Sequence, residues 1–171
     1  MLNTIINLLE RLITGIGRVV ALFVLAIIAI MIYEMFSRAV LGRSVRWAGD
    51  ASTWLLVAFI FLGGPWAMAK GNFVRVDAVY EHFSPLAKAI VDTVVSTALF
   101  ALFIWVLLSF GYDFALKSFA MGERSATGGW GGPVWLPKAM LPIGAALLVL
   151  AWILNLLRGW RDALYAEEGV R

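Results

Sequence analysis

The chain has 171 residues, of which 62% are hydrophobic and only 15% charged, and its net charge of +3 is spread over every loop. A soluble domain carries about a quarter charged residues, so the composition excludes an ordinary water-soluble fold, and the scattered basic groups suit anionic headgroups rather than nucleic acid. With no cysteine, disulfides, thiolate metal sites and cysteine nucleophiles are excluded, and the single histidine, His82, excludes a bis-histidine haem or a multi-histidine metal site within one chain.

A membrane-spanning helix needs about 20 mostly apolar residues to cross roughly 30 Å of hydrocarbon. Ahead of the first such run, Leu2, Ile5, Ile6, Leu9, Ile13 and Ile16 recur at helical spacing. Asn3, Asn7, Glu10 and Arg11 fall largely on the other side, which predicts an amphipathic helix lying in the interface. The first predicted span covers residues 15–35, with Arg18 one turn inside its start, where the side-chain stem can snorkel to the headgroups. A cleaved signal peptide is the competing reading of this run. It is longer than a typical signal core, however, and no A-x-A site follows before Glu34 and Arg38. The connection over 38–50 carries Arg43, Arg46 and Trp47.

The second predicted span, 51–69, contains no charge, and its Gly63-Gly64-Pro65 either admits a neighbouring helix closely or kinks the span. After it, Val76, Val79, Tyr80 and Phe83 form another apolar face with Asp77, Glu81 and His82 away from it. Ser84-Pro85 suits the N-cap and first turn of a third span over 86–110. Asp92 lies near the N-terminal end of that span, where the helix dipole and the interface both favour a carboxylate. A long last loop is expected over 111–138, because Gly128-Gly129, Gly131-Gly132-Pro133 and Pro137 argue against continuous helix there. The fourth span, 139–157, is uncharged and carries Pro142 near its start, and the tail 158–171 is polar and mixed in charge.

Backbone groups in hydrocarbon must be satisfied within the segment, so these runs are helices, and the alternation of a membrane β-barrel is absent. The expectation is a single membrane domain over 1–171: an all-α integral membrane protein with four transmembrane helices plus interfacial amphipathic helices. Placing both termini and the second loop inside puts Arg11, Arg18, Lys70, Arg75, Lys88, Arg158, Arg161 and Arg171 there. The other side holds Arg38, Arg43, Arg46, Lys117, Arg124 and Lys138, so a small positive-inside bias favours cytoplasmic termini. Trp47, Trp54, Trp66, Trp130, Trp135 and Trp160 fall near predicted interfaces, where indoles anchor, while Trp105 and Trp152 lie deeper against protein or lipid tails.

Ion translocation or catalysis within a membrane calls for ionisable groups at mid-depth, where burying them is costly. The middles of the four predicted spans contain none, which speaks against a proton relay, a self-contained carrier, a catalytic site or a bound cofactor. Ser96 and Thr97 can bond their own helix backbone. The charges at the span edges are Glu34, Arg38, Arg46, Asp50, Lys70, Arg75, Asp77, Asp92, Glu123 and Lys138. Each is either a solvated interfacial group or half of an inter-helix or inter-subunit salt bridge. Gly128 to Gly132 lacks the Gly-Lys-Ser/Thr ending and the preceding strand of a phosphate loop.

Several segments together resemble the small membrane subunit of tripartite ATP-independent periplasmic (TRAP) transporters, the DctQ-like family. They are Arg46-Trp47-Ala48-Gly49-Asp50, Phe61-Leu62-Gly63, Lys70-Gly71-Asn72-Phe73-Val74-Arg75-Val76-Asp77, Ser84-Pro85 with Asp92, and Gly122-Glu123-Arg124-Ser125. Gly131-Gly132-Pro133, Trp135, Lys138 and Pro142-Ile143-Gly144 complete the series. The likeness covers roughly residues 15–160; Phe73 stands where many members have histidine, and Asp50 where glutamate is commoner. The resemblance implies a non-catalytic subunit that packs beside a large many-span permease subunit in the bacterial inner membrane. In that family the large subunit carries substrate and sodium, and a periplasmic binding protein delivers the substrate, typically an organic acid. Under this reading Arg46, Trp47, Asp50, Arg75, Asp77, Asp92 and Lys138 are the expected subunit-interface or membrane anchors. The other readings are a small oligomeric channel or carrier, for which no span shows a polar stripe, an anchor subunit of another complex, and a membrane enzyme or electron-transfer subunit.

Overall fold

The computed structural model describes residues 2–71, 84, 87, 90, 92–127 and 130–168. Its main elements are α1 (Leu2–Leu41), α2 (Ala48–Ala69), α3 (Thr97–Ala120) and α4 (Trp135–Glu168), with a π-helical turn at Asp92–Ser96 leading into α3. All four helices are long and apolar enough to cross a membrane. The protein is therefore an all-α, multi-pass membrane protein, as the composition requires.

Helix boundaries differ from the apolar runs in two informative ways. The amphipathic segment and the first span form one helix of 40 residues, about 60 Å long at 1.5 Å per residue and twice the hydrocarbon thickness. No proline lies between Leu2 and Leu41, and part of the expected interfacial stripe (Ile6, Ile13 and the half-buried Leu9) packs against protein, while Ile5 stays exposed. Ile6, Ile13 and Val20, spaced by sevens, are each 2% exposed. Ile6 and Ile13 join Met68 and Ala69 of α2 and Ala151 and Leu154 of α4 in the main core cluster.

The second difference lies in the last loop. Helix α3 runs on to Ala120 and α4 begins at Trp135, so the loop is 121–134 rather than 111–138. Asp113 and Lys117 are polar but compatible with helix, and the chain turns only at Gly122, whose φ of 61° suits a residue without Cβ. Gly111 remains helical and is buried because α4 approaches there: a Cβ would lie 3.2 Å from Leu141 Cβ. At the start of the third span, Ser84 Oγ accepts a 3.2 Å hydrogen bond from the Ala87 amide, the bond expected of an N-cap.

The helices do not form a square bundle. Helix α2 packs against α1 and α4, α1 also touches α4, and α3 packs mainly on the other side of α4. Three helices thus share the core while α3 stands as an outer rib. Close approach is set by glycines facing large residues. Gly144 of α4 lies against the Phe61 backbone of α2, and Gly17 of α1 lies against the Trp66 side chain. Pro65 is buried within a continuing α2, and Gly63 faces Val20 of α1 at ordinary contact distance.

Candidate subunit interface

Each end of the bundle is tied by polar side chains. At the N-terminal end of α2, the Asp50 carboxylate is 8% exposed and accepts a hydrogen bond from Trp130 Nε1 of the last loop. The Trp130 ring packs on Trp54 with centroids 5.4 Å apart and lies against Gly132. The loop holds its own shape through Ser125 N donating to Gly132 O at 2.8 Å and Arg124 Nη1 donating to Gly131 O at 3.1 Å. Its base is closed by an ion pair between Glu123 and Lys138 at the start of α4, and the Lys138 ammonium also sits 4.0 Å above the Phe114 ring of α3. Lys138 is the main cause holding the Glu123 carboxyl below its ordinary value. The neighbouring buried Ser118 hydroxyl, with no hydrogen bond of normal length, adds a smaller favourable dipole. The connection from α1 to α2 is braced by Tyr33 stacking on Trp47, with centroids 6.4 Å apart, and by Ser37 Oγ donating to Arg43 O at 2.9 Å; a 2.6 Å Glu34–Arg38 pair lies within the end of α1.

At the opposite end, α4 donates side-chain hydrogen bonds to carbonyls in the last turn of α2, where Met68 O also accepts from the Gly71 amide at 3.1 Å. Asn155 Nδ2 donates to Met68 O at 3.1 Å and Arg158 Nη1 to Ala69 O at 2.7 Å. The same guanidinium reaches Glu10 of α1 at 2.7 Å, so one side chain joins three helices and places positive charge at a helix C-terminus. Helix α4 is fastened to the third span by two indoles. Trp152 Nε1 donates to Thr97 Oγ1 at 3.0 Å and stacks on Phe100 at 4.7 Å, and Trp160 Nε1 donates to Thr93 Oγ1 at 2.7 Å. Thr97 is thus an inter-helix acceptor, which the expectation of a purely local backbone bond missed.

The expected anchor residues divide accordingly. Asp50, Trp47 and Lys138 take part in internal contacts that shape one end of the bundle. Arg46 is exposed beside them on the same connection as Trp47. Arg75 and Asp77 lie outside the described residues, as do the 76–83 amphipathic face with His82, the Gly128-Gly129 pair and the side chain of Asp92. Sequence reading did not single out Glu10, Asn155 and Arg158 as structural ties. The signal that could have found Arg158 is its place as the first charge after an uncharged span.

Outside these ties, the outer rib is apolar and open. Leu99, Leu102, Phe103, Trp105, Val106 and Phe110 of α3 are all exposed, Trp105 by 64%. Among the described residues, no group of three or more histidine, aspartate or glutamate side chains converges, and the clefts along α3 and α4 are shallow and mostly apolar.

Residues 27–162 match the family model of the DctQ component of tripartite ATP-independent periplasmic transporters. No curated protein matches the chain.

Proposed function

The chain belongs to the DctQ family, the small permease component of TRAP transporters, and is not an enzyme; we propose that it is the stationary support for a large many-span permease subunit. The observation that carries this reading is the bracing of both bundle ends beside an unpartnered apolar rib. Asp50–Trp130 and Glu123–Lys138 fix one end, and Glu10–Arg158 with the α2 carbonyls fixes the other. Such ties suit a support beside a moving neighbour, because interhelical hydrogen bonds add to van der Waals packing in holding helices together in lipid. The rib presented by α3 is the proposed contact for the large subunit, with Arg46, Arg75 and Asp77 as edge anchors.

In this reading the complete transporter drives uptake of a carboxylate-bearing organic acid with a sodium gradient, and a periplasmic binding protein delivers it. The chain sits in the bacterial inner membrane with both termini cytoplasmic, which the small excess of basic residues on that side supports. The connection between α1 and α2 and the 121–134 loop then face the binding protein.

Reconstitution tests the proposal. Vesicles holding this chain alone should take up no organic acid under a sodium gradient. Vesicles with both membrane subunits should do so when the binding protein is present, and the large subunit alone should be impaired. Uptake by this chain alone, or failure of the two membrane subunits to co-purify, overturns it.

A further inference from the structure

A polar cleft of about 460 Å³ lies where α1 passes the end of α2, lined by Asn7, Glu10, Arg11, Thr14, Arg18 and Lys70, with Gly15 leaving open space beside it. Its charge is unbalanced. The side chains of Arg11, Arg18 and Lys70 are exposed and make no ion pair or hydrogen bond among the described residues. The lone carboxylate, Glu10, is already engaged by Arg158. Lys70 is not required to cap α2, because Asn155 and Arg158 occupy those carbonyls.

Helical geometry extends the cleft into hydrocarbon. Asn7, Arg11, Thr14 and Arg18 follow one stripe of α1 at intervals of four, three and four residues. Arg11 and Arg18 are therefore separated by about 10 Å along the axis, comparable with the roughly 5–8 Å depth of one headgroup layer. The same stripe continues as Leu22 and Leu25, exposed by 60% and 64%. Cations at headgroup depth thus give way to an open aliphatic track, while the opposite face of α1 (Ile6, Ile13, Val20) is buried in the core. The chemistry that fits is an anionic phosphodiester, with hydrogen-bonding groups at Asn7 and Thr14 for the polar part.

We propose that this cleft binds the headgroup of an anionic phospholipid, whose acyl chain lies along Leu22 and Leu25. The aliphatic continuation favours lipid over free phosphate as the source. The site depends on the chain's being in a membrane and not on its role in transport, so it stands or falls separately from the preceding proposal.

The test uses the full purified chain in detergent micelles, with lipid retention read by native mass spectrometry after addition of phosphatidylglycerol or phosphatidylcholine. The wild-type chain should retain phosphatidylglycerol at least about tenfold better than phosphatidylcholine. Each of Arg11→Gln, Arg18→Gln and Lys70→Gln should reduce that retention about fivefold, and Arg18→Lys should largely restore it. Circular dichroism of the variants should match wild type, since all three side chains are exposed; a variant that loses helix is replaced by the alanine exchange at the same position, which removes the charge and favours helix. Inorganic phosphate in large excess should not displace the lipid; displacement would assign the cleft to a free anion and overturn the proposal. Equal retention of the two lipids, or unchanged retention in all three variants, would also overturn it.

Discussion

The approach of α4 to α2 at Gly144 gives the sharpest mechanical prediction. A Cβ at Gly144 would lie 2.5 Å from the Phe61 carbonyl oxygen, 2.7 Å from Phe61 Cβ and 2.9 Å from its carbonyl carbon. Two of those atoms are backbone in the middle of α2, so no rotamer change relieves the contact. With ordinary contact beginning at 3.4 Å, α4 must retreat by about 0.7–0.9 Å. That displacement loosens the α2–α4 seam from which Asn155 and Arg158 reach the end of α2. Overpacking of this kind costs about 1–3 kcal/mol, partly offset by about 1 kcal/mol from replacing glycine with alanine in a helix. Gly159 lies in the same helix, and a Cβ there would meet nothing within 4 Å, so Gly159→Ala isolates the propensity gain. In reversible unfolding of the purified chain by denaturing detergent, Gly144→Ala should therefore be about 1–3 kcal/mol less stable than Gly159→Ala. Equal stability of the two variants would refute the close seam.

Two further outcomes concern the 121–134 loop. Trp130→Phe keeps a ring against Trp54 but removes the donor to Asp50, leaving a largely buried carboxylate short of a partner at a cost of about 1–3 kcal/mol. Proteolytic nicking of the loop should accelerate several-fold, and an unchanged rate would show that the indole N–H does not hold it. The Glu123–Lys138 pair makes the loop base sensitive to acid. Because the folded-state pKa of Glu123 is lowered from its ordinary 4.5, its stabilising contribution is complete above that value and disappears as pH falls through the lowered folded value. Hydrogen exchange of the loop amides should stay flat from about pH 7 to about 5, after correction for intrinsic rates, and rise below it; Lys138→Met should flatten that rise.

Much of the architecture was legible in the sequence. The four helices and Ser84 as an N-cap follow from local composition and spacing, whereas Asp50 and Lys138, expected as subunit-interface or membrane anchors, find internal partners that local spacing did not name. The extents of α1 and α3 were less legible, because polar residues mark where a helix leaves hydrocarbon and not where it ends. Asp113 and Lys117 lie beyond the apolar run yet still within α3, and only Gly122 turns the chain. The role of Arg158 was hidden for another reason: its three-helix tie joins it to Glu10 and Ala69, each more than 80 positions away in the chain.

The amino-acid sequence by itself determined that this protein spans the membrane as helices, because water-free surroundings leave the backbone of an apolar run no other way to satisfy its amides. The tertiary structure alone decided which face of each helix meets protein. Lipid tails are as apolar as a leucine-lined core, so hydropathy does not distinguish Ile13, sealed in the core, from Leu22, left open. That choice rests on shape, on Gly144 against Phe61 and Gly17 against Trp66, and on the distant polar partners that lock the resulting rotation in place.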